Sequence, residues 1–244
     1  MRRFVQAFDG ADWNGLLNDR KDAPLADALA AQPQRYNIAG RTEAAVLVAG
    51  DDGRPRVERY TWGLVPKWSK TPRTDYTTVT ARLQRAPRSR IFRGPWERQR
   101  CVVPMNGYYK WDRDKPPAPW FIQSRDGRPL LAAGLWECWD KEEPALHSFA
   151  ILTHPNPAIP PPLVPDGPVF LPGDEWRTWL TGKPWFPQRW LMRMPQPALE
   201  AYRVSRAIRK VDAEGYTLLE PVDVDAEPAP LDGELDPDED DDGE

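Results

Sequence analysis

The sequence predicts a β-rich α+β fold: one body of many short strands with a few peripheral helices. Three observations carry this. Apolar runs of strand length recur along the chain, and helix-like stretches are few and short. Twelve tryptophans, seven tyrosines and seven phenylalanines supply large rigid bodies for a core. The chain, at 244 residues with no visible internal repeat, is long enough to bury that core in one domain.

Taken in order, strands are expected at 45–49 (a continuous Ala-Val-Leu-Val-Ala run), 57–62 (ending in Tyr60-Thr61-Trp62), 101–103 and 107–111. Further runs follow at 120–123, 130–136, 148–153, 169–171 and 216–219. Helices are expected at 11–17, 25–31, around 88–93 and at 173–180. The last has Asp174 and Glu175 in its opening turn, where carboxylates complement exposed amides. The proline-rich stretches 116–119 and 155–162 read as loops, and the second cannot be helical.

The formal net charge of −4 conceals an asymmetry. Residues 223–244 hold twelve acidic residues and no Lys or Arg, with almost nothing apolar, so a disordered acidic tail is expected. Residues 1–222, the expected domain, keep 33 basic and 25 acidic residues, a net charge of +8. Of the basic residues 25 are Arg, the side chain suited to bidentate phosphate contact and stacking on bases; coding composition is the competing reading. No apolar run approaches bilayer length and no signal-like segment opens the chain, so it reads as soluble and cytoplasmic, nucleoid-associated when bound to DNA. Cys101 and Cys138 make no disulfide framework, nothing resembles a Cys/His zinc cluster, and neither metal nor cofactor is expected.

Six strings then stand in order: Arg3-Phe4-Val5-Gln6, Tyr36-Asn37-Ile38-Ala39, Trp62-Gly63-Leu64-Val65-Pro66-Lys67-Trp68, Thr80-Ala81-Arg82-Leu83-Gln84-Arg85, the stretch from Cys101 to Trp111, and Val204-Ser205-Arg206-Ala207. Each is weak alone; in this order and spacing the chain resembles the SOS-response-associated peptidase (SRAP) family over nearly all of 1–222. That family shields abasic sites in single-stranded DNA through a covalent DNA–protein crosslink. The resemblance implies a nucleophilic Cys at position two, whose thiol and freed α-amine close a thiazolidine on the sugar aldehyde, assisted by a Glu and a His.

This chain departs from that pattern where the chemistry sits. The register of Arg3-Phe4 leaves Met1 at the Cys position, Lys110 replaces the Glu, Val164 replaces the His, and Thr80 replaces an Asn. Arg82 alone survives of the polar centre. A thiazolidine needs a β-aminothiol, and Val164 has no proton to transfer, so a pseudoenzyme is expected. An alternative is Schiff-base chemistry on an abasic aldehyde by the α-amine of Met1, which Arg2 should protect from processing, or by Lys110. A third reading is a protein-binding adaptor on the same fold.

The resemblance implies single-stranded DNA, abasic or junction DNA included, as partner, with Arg3, Asn37, Trp62, Trp68, Arg82, Arg85 and Arg88 as contacts. Trp62 also reads as core, and the run Arg85, Arg88, Arg90, Arg93 as a solvated face. Cys101 reads as a buried hydrophobe, and Cys138 has no visible activating base. His154 stands ten residues before the lost His and could substitute for it; His147 is the weaker candidate. The tail admits three readings: solubilising segment, DNA mimic covering the basic groove, or dock for a basic partner.

Overall fold

The computed structural model describes residues 1–13, 16–17, 22–74, 76–182 and 188–222. The expected tail at 223–244 lies outside the described residues, as does part of the expected helix 11–17.

Twelve strands are described: β1 (Arg3–Gln6), β2 (Arg35–Ala39), β3 (Glu43–Ala49), β4 (Pro55–Trp62), β5 (Thr80–Arg82), β6 (Arg100–Met105), β7 (Gly107–Trp111), β8 (Pro119–Ser124), β9 (Leu130–Trp139), β10 (Leu146–Pro155), β11 (Asp166–Pro168) and β12 (Leu199–Arg203). The α-helices are α1 (Ala23–Ala30), α2 (Arg93–Arg98), α3 (Glu175–Thr181) and α4 (Gln188–Met192). Among the described residues no helix is long and apolar enough to cross a membrane. The β-rich α+β architecture with peripheral helices is the one that the apolar runs announced.

One sheet is antiparallel, in the order β12-β8-β7-β1-β2. In the other, β10-β4-β3-β6-β9 run side by side and β9 pairs back onto β10, closing a five-stranded barrel. Closure leaves these strands without a free edge. β5 runs parallel to the far end of β10, and β11 lies antiparallel to it there.

Side-chain alternation sorts the barrel strands into two cores. Val46, Val48, Cys101, Val103, Ala132, Phe149 and Ile151 pack with Phe4, Ile38, Tyr108 and Ile122 of the first sheet. Their neighbours Leu47, Val102, Leu131, Ala133, Ala150 and Leu152 meet Leu25, Leu29, Trp96, Trp176 and Trp179 from the helices. Each fully buried large apolar side chain contributes roughly 1.5–3 kcal/mol. The opposite face of the first sheet is covered by Val204, Ile208 and Leu218. Gln6 brackets the two sheets: its amide nitrogen donates to the Ala45 and Pro104 carbonyls, and its oxygen accepts from the Ala45 amide.

Several elements differ from expectation. Residues 216–219 form a 3-10 helix: Gly215 turns the chain at φ +113°, Leu218 is buried and Leu219 packs against the same core. Residues 169–171 thread between parting strands instead of forming a ladder: Val169 donates to Leu152 and accepts from Ala133, and Leu171 donates to Leu131. The segment around 88–93 divides into a 3-10 helix (Ala86–Arg88) and α2. A short 3-10 helix (Ala11–Trp13) stands where the helix 11–17 begins.

Candidate nucleic-acid interface

Two regions carry the chemically loaded side chains, and the segment from β5 to α2 joins them. The first lies where β5, β7 and β11 converge at the end of β10. Parallel pairing sets Thr80 beside Ile151 and Arg82 beside Thr153; antiparallel pairing sets Asp166 beside Pro155 and Gly167 beside His154. Arg82 Nη1 lies 3.3 Å from Asp166 Oδ2, and Lys110 Nζ donates to the Asp166 carbonyl at 2.9 Å. Thr80, two residues from Arg82, shares its face of β5. Val164 is half-buried in the loop entering β11, and its carbonyl accepts from the Asp166 amide at 2.8 Å.

Asp166 is therefore the hub, and sequence reasoning missed it. The available signal was its place two residues after Val164, in the string Val164-Pro-Asp-Gly-Pro168. Gly167 permits the approach: a Cβ there would lie 2.9 Å from the Tyr108 hydroxyl and 2.7 Å from Ile159 Cδ1. That hydroxyl is buried without a hydrogen-bond partner, and burial, with the Asp166 charge added, pushes its pKa up. His154 Nδ1 lies 2.7 Å from the Gln84 amide nitrogen. An amide donor there makes Nδ1 the acceptor and puts the proton of a neutral ring on Nε2. Burial lowers the His154 pKa, and Asp166 partly opposes that shift.

Three sequence candidates sit elsewhere, engaged in structure. Arg3 Nη1 donates to Asn37 Oδ1 at 2.8 Å and Nη2 to the Arg209 carbonyl at 3.1 Å. Asn37, 1% exposed, donates in turn to the Lys210 and Ala213 carbonyls, tying β1 and β2 to the C-terminal 3-10 helix (Arg206–Arg209) and the turn after it. Trp62 is 0% exposed; its indole donates to the Val79 carbonyl and its ring meets Phe4 edge-on at 4.9 Å. No face of that ring is open to a base, so Trp62 takes its core role. Met1 is half-buried against the same core.

The second region is a cleft of about 840 Å³ lined by Lys67, Trp68, Arg88, Arg90, Arg93 and Arg98, with Glu97 and Glu137 as its carboxylates. Clefts of roughly 300–1,000 Å³ are the usual size of small-molecule sites. Trp68 is 42% exposed, with the Arg90 guanidinium 4.5 Å from its ring centroid. Its loop is pinned to the β9–β10 hairpin: Lys67 pairs with Asp140 at 3.0 Å, and the Trp139 indole donates to the Ser69 carbonyl at 2.9 Å. The Lys67–Asp140 hydrogen bond holds the lysine pKa up and the carboxyl pKa down. Burial raises the Glu137 pKa, against the hydrogen bonds it accepts from the Cys138 amide and the Gln99 side chain. Arg85, exposed, lies between the two regions. Among the described residues Arg85, Arg88, Arg93 and Arg98 have no carboxylate within ion-pair distance.

The sequence pattern of the SOS response associated peptidase family matches residues 3–211, a span that includes both regions. The chain belongs to that family. Among curated SRAP relatives, it is 30% identical over 256 residues to an abasic site processing protein of Saccharomyces cerevisiae, covering 90% of this chain and 67% of that one. It is 28% identical over 192 residues to the abasic site processing protein YoaM of Bacillus subtilis, covering 76% of this chain and 84% of that one. A crystal structure of a protein from Bacteroides thetaiotaomicron aligns with a TM-score of 0.68 at 18% identity, over 90% of this chain and 99% of that one, and so shares the fold.

Proposed function

We propose that this SRAP chain binds single-stranded DNA and lacks the thiazolidine chemistry of the family. The observation that carries the reading is the cleft: an exposed Trp68 beside Arg88, Arg90, Arg93 and Arg98, continued toward Asp166 by Arg85 and Arg82. Single-strand binders combine a positive track for the backbone with an aromatic face for bases, and each stacked base contributes about 1–3 kcal/mol. The names of the relatives direct the proposal to DNA with abasic sites.

The residues at the centre support the loss of thiol chemistry. A thiazolidine needs a thiol and an amine on adjacent carbons of one residue, and Met1 stands in the Cys register. Cys101 is 0% exposed, burial pushes its thiol pKa up, and as an internal residue it has no free α-amine. Cys138, whose pKa burial also raises, is internal too. Val164 transfers no proton, and Lys110, Arg82 and Asp166 hold one another by hydrogen bond and ion pair.

A second reading rests on Lys110, a primary amine that donates to the Asp166 backbone carbonyl and stands where the resemblance places the family's catalytic Glu. Its nitrogen would add to the aldehyde carbon of a ring-opened abasic sugar and expel water, giving an imine.

One gel separates these readings. Single-stranded oligonucleotides with and without one abasic site are incubated with the protein, each with and without borohydride. The binding reading expects a retarded, non-covalent complex under all conditions. A covalent band that needs reductant and disappears in Lys110→Ala replaces it with the imine reading; a band that survives Lys110→Ala and is lost on blocking the α-amine assigns the chemistry to Met1. No complex of either kind leaves the adaptor.

A further inference from the structure

We infer that the acidic segment 223–244 docks in the cleft between Trp68 and α2 and competes there with nucleic acid. The docking rests on charge and reach; the competition rests on the DNA-binding reading above.

The cleft presents a demand that the body does not meet. Lys67, Arg88, Arg90, Arg93 and Arg98 line it against only Glu97 and Glu137, and Lys67 alone among these cations has an ion-pair partner within the described residues. Glu137 is turned inward, holding Gln99 and the Cys138 amide. Four guanidiniums thus face one opening with Glu97 as the one carboxylate there not turned inward, and none of the four is ion-paired among the described residues. Guanidinium pairs with carboxylate in the same two-pronged geometry that it offers to phosphate. A site built for one polyanion therefore accepts the other.

The segment supplies that second polyanion. Its twelve carboxylates include the unbroken run Asp238, Glu239, Asp240, Asp241 and Asp242. An extended chain advances about 3.3–3.6 Å per residue. One DNA strand carries a charge about every 3.4 Å. The run therefore matches the linear charge density of a DNA strand.

Reach is sufficient from where the described chain ends. The Val222 amide donates to the Arg203 carbonyl at 3.0 Å, and Pro221 bridges to Val204, so the chain leaves the body at the end of β12. Twenty-two further residues span at most about 75 Å. A body of this size has a radius of gyration of about 17 Å. The run at 238–242 begins sixteen residues past Val222, a contour of at most about 55 Å, which covers most of that surface. Tethering gives such a segment an effective concentration in the millimolar range, so even a weak contact is populated.

The test compares the full chain with a full-length variant in which Asp236, Asp238, Asp240, Asp241 and Asp242 become Asn and Glu239 becomes Gln. Amide hydrogen exchange across 88–99 reads docking without any DNA. Docking predicts slower exchange in the natural chain at low salt, a difference lost at high salt and missing in the variant. Identical exchange in the two chains overturns the docking. Affinity for an oligothymidine strand then reads competition: the variant should bind about tenfold tighter at low salt, the two chains converging as salt screens the contact. Equal affinities at low salt overturn the competition and leave the DNA reading standing. Failure of both chains to bind the strand overturns the DNA reading and the competition together, while exchange still decides the docking.

Discussion

Gly107 leaves no room for a side chain: a Cβ there would lie 2.4 Å from the Ile122 carbonyl oxygen and from the Phe121 ring. Both neighbours are buried in the sheet that carries Lys110, so neither can yield cheaply. Gly107→Ala should therefore cost about 3 kcal/mol, seen as a lower urea midpoint at an unchanged slope. Gly94→Ala, where a Cβ meets nothing within 4 Å, should not lower that midpoint. His154 carries a pH signature at the same scale. Burial lowers its folded pKa below the ordinary 6.5. The unfolded chain then takes up the proton first, so the stability His154 contributes is present above about 6.5 and is lost as pH falls toward the lower folded value. Urea midpoints between pH 7.5 and 5.5 should fall less steeply in His154→Asn than in the natural chain. A steeper fall in the variant would reverse the assigned sign.

At the scale of elements, Trp62 and Trp68 show how far a short string can be read. They stand six residues apart in one string, yet Trp62 closes β4 inside the core while Trp68 rides the loop beyond it. Trp62→Ala should cost about 3–5 kcal/mol in thermal or urea unfolding. Trp68→Ala should leave the unfolding midpoint in place and weaken single-stranded DNA binding about tenfold, measured by fluorescence anisotropy. The strands at 107–111, 130–136 and 148–153 were legible because their alternating sets fill two cores at once. β1, β2, β5, β11 and β12 were not. They are three to five residues long, carry charged residues, and take their pairing from other segments of the fold, as β5 does from β10. The run 216–219 misled for the complementary reason: its apolar residues have no strand to pair with, and one of them, Leu218, is buried from a 3-10 helix.

Across the whole molecule, charge separates a basic body from an acidic segment, and salt is the lever that tests it. Four phosphate contacts, by Arg82, Arg85, Arg88 and Arg93, would give a slope of about −2.8 in log affinity against log salt for a single strand. Raising salt from about 50 to 200 mM should then weaken binding about 50-fold. A salt-independent affinity would remove the cationic track from the account.

The sequence by itself determined the family frame, the apolar runs from which the barrel strands fill two cores, and the presence of Thr80, Lys110 and Val164 in their strings. These are local properties: residue identity, spacing and periodicity stand in the chain whatever it folds into. Only the tertiary structure decided that Arg82 and Lys110 meet at Asp166, that Arg3 and Asn37 are spent on the C-terminal turn, and that α2 and the Trp68 loop enclose four arginines in one cleft. Those facts depend on contacts between segments up to 206 residues apart, as between Arg3 and Arg209. Burial and pairing at that range are set by how sheets and helices pack, and no window of local sequence contains them.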